Sequence, residues 1–166
     1  MYKWTVRTLI AHGIARLNQG DPTFLLRLAH PDAEIAFPGD NSWAAMHRPV
    51  VKDRQRHATH RGIDECRSFA ERFVDAGLHI DIEDILVNGG PWNLRVAVRG
   101  TDHQAGPDGD EYNNRLVAFL EIRWGRLTRW EDYEDTERVA DWDRRQQHRG
   151  DTTPSAALAD APTRVP

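Results

Sequence analysis

Residues 77–103 read Gly77-Leu-His-Ile-Asp-Ile-Glu-Asp-Ile-Leu-Val-Asn-Gly-Gly-Pro-Trp-Asn-Leu-Arg-Val-Ala-Val-Arg-Gly-Thr-Asp-His103. In the first half Leu78, Ile80 and Ile82 alternate with His79, Asp81 and Glu83, a period of two that belongs to a half-buried strand. The phase then slips by one residue and Ile85 and Val87 continue, which predicts a β-bulge near Glu83-Asp84. Asn88-Gly89-Gly90-Pro91 reads as a turn. A second long strand is expected from Trp92 to His103, with Leu94, Val96 and Val98 on one face.

On the carboxyl side the pattern repeats. Gln104 to Asp110 reads as a loop, Tyr112 to Trp124 as a third long strand, Gly125 as a tight turn and Arg126 to Tyr133 as a fourth strand. Asp135 or Thr136 then caps a last helix carrying Val139 and Trp142. On the amino side the period is helical. Val6, Leu9, Ile10, Gly13, Ile14 and Leu17 recur at three and four residues, Asp21-Pro22 opens a short second helix, and Ala33 to Phe37 is a short strand. Gly62 begins a third helix with Ile63, Cys66, Phe69, Ala70, Phe73 and Val74 facing inward, and Gly77 closes it. Residues 43–60, rich in His, Arg and Lys, show no period and read as a basic loop or flap. Long meandering strands with helices collected on one face define an α+β class: a curved, mostly antiparallel sheet wrapped around helices, a cone with a central pocket. The domain is expected over residues 1–146, with residues 147–166 a disordered, proline-punctuated tail.

The chain's 166 residues are enough for one domain with a real core. A net charge of −4 argues against a general nucleic-acid binder, which needs a basic surface. No apolar run approaches the roughly 20 residues that cross a bilayer, and Met1-Tyr2-Lys3-Trp4 opens no secretory signal, so a cytoplasmic location is the default expectation. The single cysteine, Cys66, has no partner for an intrachain disulfide and reads as a small buried hydrophobe.

Strand parity picks out two acids. Asp102 shares a face with Val98, Val96 and Leu94, and Asp132 shares one with Trp130 and Thr128. Two carboxyls meeting in an apolar hollow raise each other's pKa by desolvation and like-charge repulsion, which fits them for acid/base work. The plain alternative has Asp102 at a fraying strand end and Asp132 capping the last helix. Phe37, Trp43, Trp92 and Trp130 would supply aromatic walls, with Asp40 beside the first. Tyr112, Asn114 and Leu116 share a parity on the third long strand, where the polar pair suits orienting hydrogen bonds, and His47 offers another. His57 and His60 have a spacing a metal accepts but lack a third ligand, so neither metal nor organic cofactor is expected.

The segment Trp124-Gly-Arg-Leu-Thr-Arg-Trp-Glu-Asp-Tyr-Glu-Asp135 resembles the strand-to-helix signature of limonene-epoxide-hydrolase-type proteins. The helix-first order, Phe37-Pro-Gly-Asp40 and Arg61-Gly62-Ile63 resemble SnoaL-like polyketide cyclases, and the likeness spans roughly residues 3–146. Both belong to the nuclear-transport-factor-two-like, ketosteroid-isomerase-like superfamily. The resemblance implies that Asp132 is the acid of the last strand and Asp102 its partner. It departs at Gly100, where the hydrolases carry an arginine, and near Phe37 and Asp40-Asn41, where they hold water with a tyrosine and an asparagine. The expectation is therefore a cofactor-independent enzyme moving a proton or activating water on an apolar cyclic substrate of polyketide, terpenoid or steroid type. The alternative is a non-catalytic ligand-binding or dimerisation module on the same scaffold. A homodimer through the outer sheet face, bearing Arg95, Arg99, Arg115, Phe119, Glu121 and Arg123, is implied by the same resemblance.

Overall fold

The computed structural model describes residues 2–38, 57–106 and 109–148. Helix α1 (Tyr2–Asn18) buries Val6, Ile10, Gly13, Ile14 and Leu17, the stripe the spacing predicts except for Leu9, which is exposed. Helix α2 (Thr23–Leu28) starts one residue later than expected, with Pro22 at the N-cap position, while Asp21 Oδ1 accepts the Thr23 backbone N–H at 2.9 Å from the turn before it. Strand β1 (Ala29–Pro38) follows without a loop. Strand β2 (His57–Arg61) pairs with it antiparallel, so the carboxyl end of the segment expected to be a flap is an edge strand. The remainder of that segment, with Asp40, Trp43 and His47, lies outside the described residues.

Helix α3 (Ile63–Asp75) turns Cys66, Phe69 and Phe73 inward. Four long strands then meander: β3 (His79–Gly90), β4 (Asn93–Ala105), β5 (Glu111–Arg123) and β6 (Arg126–Glu134). The sheet order is β2-β1-β6-β5-β4-β3, antiparallel throughout except for the parallel β1–β6 pair. Helix α4 (Thr136–His148) begins where Asp135 Oδ1 accepts the Glu137 N–H. The last helix thus runs two residues past the expected end of the domain, and the expected tail beyond it lies outside the described residues. This is an α+β fold: among the described residues, four helices and one curved mixed sheet enclose a shared core.

Two local features position the site. Ile82 pairs with Gly100 and Asp84 with Arg99, leaving Glu83 as the extra residue of the predicted bulge. At that close approach a Cβ on Gly100 would overlap the Asp81 carbonyl oxygen, so only glycine fits. The second feature is the β3–β4 turn. Gly90 still pairs with Asn93, so the turn is Pro91-Trp92, one step later than the glycines suggest. Trp92 therefore stands at the turn tip and not on the strand's inner face, and it is 63% exposed.

Candidate functional site

The sheet's concave face and helices α1–α3 enclose a cavity of about 80 Å³ that opens to solvent. Leu17, Leu25, Phe69, Phe73, Leu78 and Ile80 make its apolar walls, with Phe37 and Leu116 from the sheet. Asn18 fixes one wall: its side chain donates to the Ile80 carbonyl at 2.8 Å and accepts the Ile80 N–H at 3.0 Å, tying α1 to edge strand β3. Cys66 also lines the cavity. Its thiol lies 3.5 Å from the Ala33 carbonyl, and burial pushes it up to about 11, so it stays protonated at neutral pH.

Four carboxyl side chains line this largely apolar space: Asp102, Asp132 and Glu134, and Glu34, which is bridged to Arg61 and Arg129. Asp102 ends the inner row of β4 opposite Asn114, while Asp132 lies opposite Ala118 and Glu134 opposite Leu116. Alternation along β6 puts Trp130, Asp132 and Glu134 on the cavity side and Arg129, Glu131 and Tyr133 on the other. Those outer residues are linked, Arg129 bridging Glu131 at 2.9 Å and Glu34 at 2.7 Å, so their charges are neutralised behind the strand.

Burial pushes the Asp102 carboxyl up to about 6, partly offset by its own backbone N–H and by the Tyr112 hydroxyl. Burial likewise raises Asp132 to about 7, with the Trp130 indole N–H, 2.6 Å away, holding it down and the Asp102 charge raising it. Glu134 is raised furthest, to about 9, first by burial and then by the charges of Asp132 and Asp102. All three therefore hold their protons to higher pH than an ordinary carboxyl. Among the described residues of the lining there is no lysine, arginine or histidine.

Tyr112 and Asn114, expected to touch a ligand, stand behind the acids. Asn114 Nδ2 donates to the Tyr112 hydroxyl oxygen at 3.0 Å and to the Asp135 carbonyl at 3.1 Å. Because Tyr112 accepts from Asn114, its own proton is available to a carboxyl, and Asp102 and Glu134 are the groups it favours in ionised form. The ring rests against Trp142 of α4, with centroids 5.7 Å apart.

The structure brings together Asp102, Asp132, Phe37, Leu116 and Trp130, with Tyr112 and Asn114 in support. Trp92 is a correction: the Gly90–Asn93 pairing places it at a turn tip, away from this cavity. Asp40, Trp43 and His47 lie outside the described residues. His60 is fully buried, its ring facing Phe37 and Phe69, while nothing is described of the His57 side chain. Glu134 is the acid that sequence reasoning missed, although two-residue spacing from Trp130 and Asp132 was signal enough. The expected strand stopped one residue short of it. The helix-capping alternative for Asp132 is overturned, since Asp135 holds that cap.

A family model for the SnoaL-like domain matches residues 10–130, and the chain belongs to that family. Solved structures share its fold. IdmH from Streptomyces antibioticus, provisionally described as a polyketide cyclase, is 19% identical with a TM-score of 0.61, over 80% of this chain and 94% of that one. TerC, co-crystallised with polyporic acid, is 21% identical with a TM-score of 0.60, over 81% and 96%. The epoxide hydrolase/cyclase-like enzyme SalBIII, from pyran ring formation in the polyether salinomycin, is 14% identical with a TM-score of 0.59, over 83% and 96%. No curated protein matches the chain.

Proposed function

We propose that this protein is a cofactor-independent acid/base enzyme acting on a neutral cyclic substrate of polyketide, terpenoid or steroid type. The observation that carries the reading is a largely apolar cavity in which three carboxyls, Asp102, Asp132 and Glu134, are all raised by burial. Asp132, poised near neutrality, takes or gives the substrate proton, because a general acid or base works best with a pKa near the operating pH. Asp102 is its partner. Glu134, protonated at neutral pH, donates a hydrogen bond to an oxygen that gains negative charge as the proton leaves carbon. The cyclase and epoxide hydrolase/cyclase relatives support this class of chemistry: isomerisation, cyclisation or hydration.

The test uses two probes. One is deuterium exchange at the α-carbon of 2-tetralone, and the other is ring opening of cyclohexene oxide. The reading expects the protein to accelerate at least one, and Asp132→Asn to lose about 10²–10⁴-fold while unfolding at a similar temperature. Full activity in Asp132→Asn would refute the assignment of that residue, and no acceleration of either probe would count against the enzyme reading.

A second reading, ligand binding without turnover, is favoured by Gly100. The bulge leaves no room there for the arginine that the epoxide hydrolases carry. The protein in either case pairs as a homodimer through the outer sheet face. That face sets Leu86, Ala97 and Phe119 in one cross-strand row and Arg99, Val117 and Tyr133 in the next. Leu86 (60%), Tyr133 (49%) and Val117 (37%) leave apolar area in water, between arginines suited to a polar rim.

A further inference from the structure

A second cavity lies at the other end of the cone, under the first half of α1 and beside the β3–β4 and β5–β6 turns. Its volume is about 210 Å³, and its walls are Ile10, Ile14, Leu28, Leu94 and Leu120. The mouth lies where Tyr2, Thr5 and Leu9 are exposed, opposite Pro91 and Gly125. Leu9 is the one residue of the α1 stripe that does not pack into the core, at 45% exposed, and it lines this cavity.

Leu25, Leu127 and Trp130 line both cavities, so these three side chains stand between them. The Trp130 indole N–H is turned away, toward Asp132. Among the described residues lining the second cavity there is no Asp, Glu, Lys, Arg or His. A polar head or a charge buried here would lose its hydration with little to replace it.

We infer that this second cavity binds an unfunctionalised hydrocarbon chain. On the reading proposed above, that chain is the tail of the substrate, reaching past Trp130 while the reacting ring lies against the acids. The substrate class is then narrowed to a ring system carrying an aliphatic chain. The shared wall makes Trp130 a specificity-determining residue, and its hydrogen bond links occupancy of the tail compartment to the position of Asp132.

The experiment needs no turnover, so it stands or falls apart from the acid/base reading. Protein labelled at Ile and Leu methyl groups is titrated with 1-butanol, 1-hexanol and 1-octanol. The inference expects saturable shifts at Ile10, Ile14 and Leu120, with affinity rising about threefold to fourfold per added methylene. Leu9→Trp and Thr5→Trp, both at exposed mouth positions that a large side chain can occupy without disturbing the core, should each weaken octanol binding at least tenfold. Shifts confined to Ile80 and Leu116 of the first cavity, shifts that do not saturate, or octanol affinity unchanged in both mouth variants would overturn it.

Discussion

At the scale of single residues the account turns on how a few side chains trade protons in an apolar hollow. The Tyr112 hydroxyl favours the ionised forms of Asp102 and Glu134. Tyr112→Phe removes that proton donor and should raise the pKa of both, read from their side-chain carboxyl carbons by NMR. Unchanged titrations would mean that Tyr112 only packs. Trp130→Phe should likewise raise Asp132, since the indole N–H that holds it down is lost while the aromatic wall remains. A lowered Asp132 in that variant would contradict the geometry.

At the scale of elements, the ties between helices and sheet decide whether the cavity holds its shape. Asn18 spends both ends of its amide on the Ile80 backbone. Asn18→Ala leaves that donor and acceptor without their partner and should cost about 1–3 kcal/mol in denaturant unfolding. Gly100→Ala drives a Cβ into the Asp81 carbonyl and should cost about 1–3 kcal/mol or more by the same measurement. A neutral Gly100→Ala would show that the bulge is looser than described. The bulge itself was legible in the sequence, because one extra residue shifts a period-two pattern visibly from Ile82 to Ile85. So was the inward row of β4, since alternation carries straight from Leu94 to Asp102. Strand β2 was not: His57-Ala-Thr-His-Arg61 has no apolar period, and it is a strand because β1 offers it an edge. The parallel β1–β6 contact was equally hidden, for it joins residues about a hundred positions apart and no local pattern records such a pairing. Trp92 misled because alternation alone cannot say whether a tryptophan opens a strand or ends a turn. Glu134 escaped only because the strand was ended too early.

At the scale of the molecule, the three raised carboxyls set how stability responds to pH. Each binds its proton more tightly folded than unfolded, so between roughly pH 4 and 9 the native state holds more protons and stability falls as pH rises. Below that window both states are protonated, and above it the full cost of the buried charges is present. Asp102→Asn should flatten the dependence, gaining on the order of 2–3 kcal/mol at pH 8 relative to pH 4 compared with the parent, by urea unfolding at each pH. An equal gain at both pH values would show that the carboxyl's charge was not the cause. The outer face gives a second prediction at this scale. Leu86→Glu with Val117→Glu should convert a dimer sedimenting at micromolar concentration into a folded monomer. A parent that already sediments as a monomer would remove the dimer from the account.

The central claim is that Asp102, Asp132 and Glu134 form one coupled acid cluster inside an apolar cavity. The most direct measurement is a carboxyl-carbon NMR titration of all three, repeated in Asp102→Asn. The account predicts midpoints well above the ordinary carboxylate range, in the order Asp102, Asp132, Glu134, with those of Asp132 and Glu134 falling when Asp102 is neutralised. Three independent titrations near pH 4, indifferent to the substitution, would contradict it.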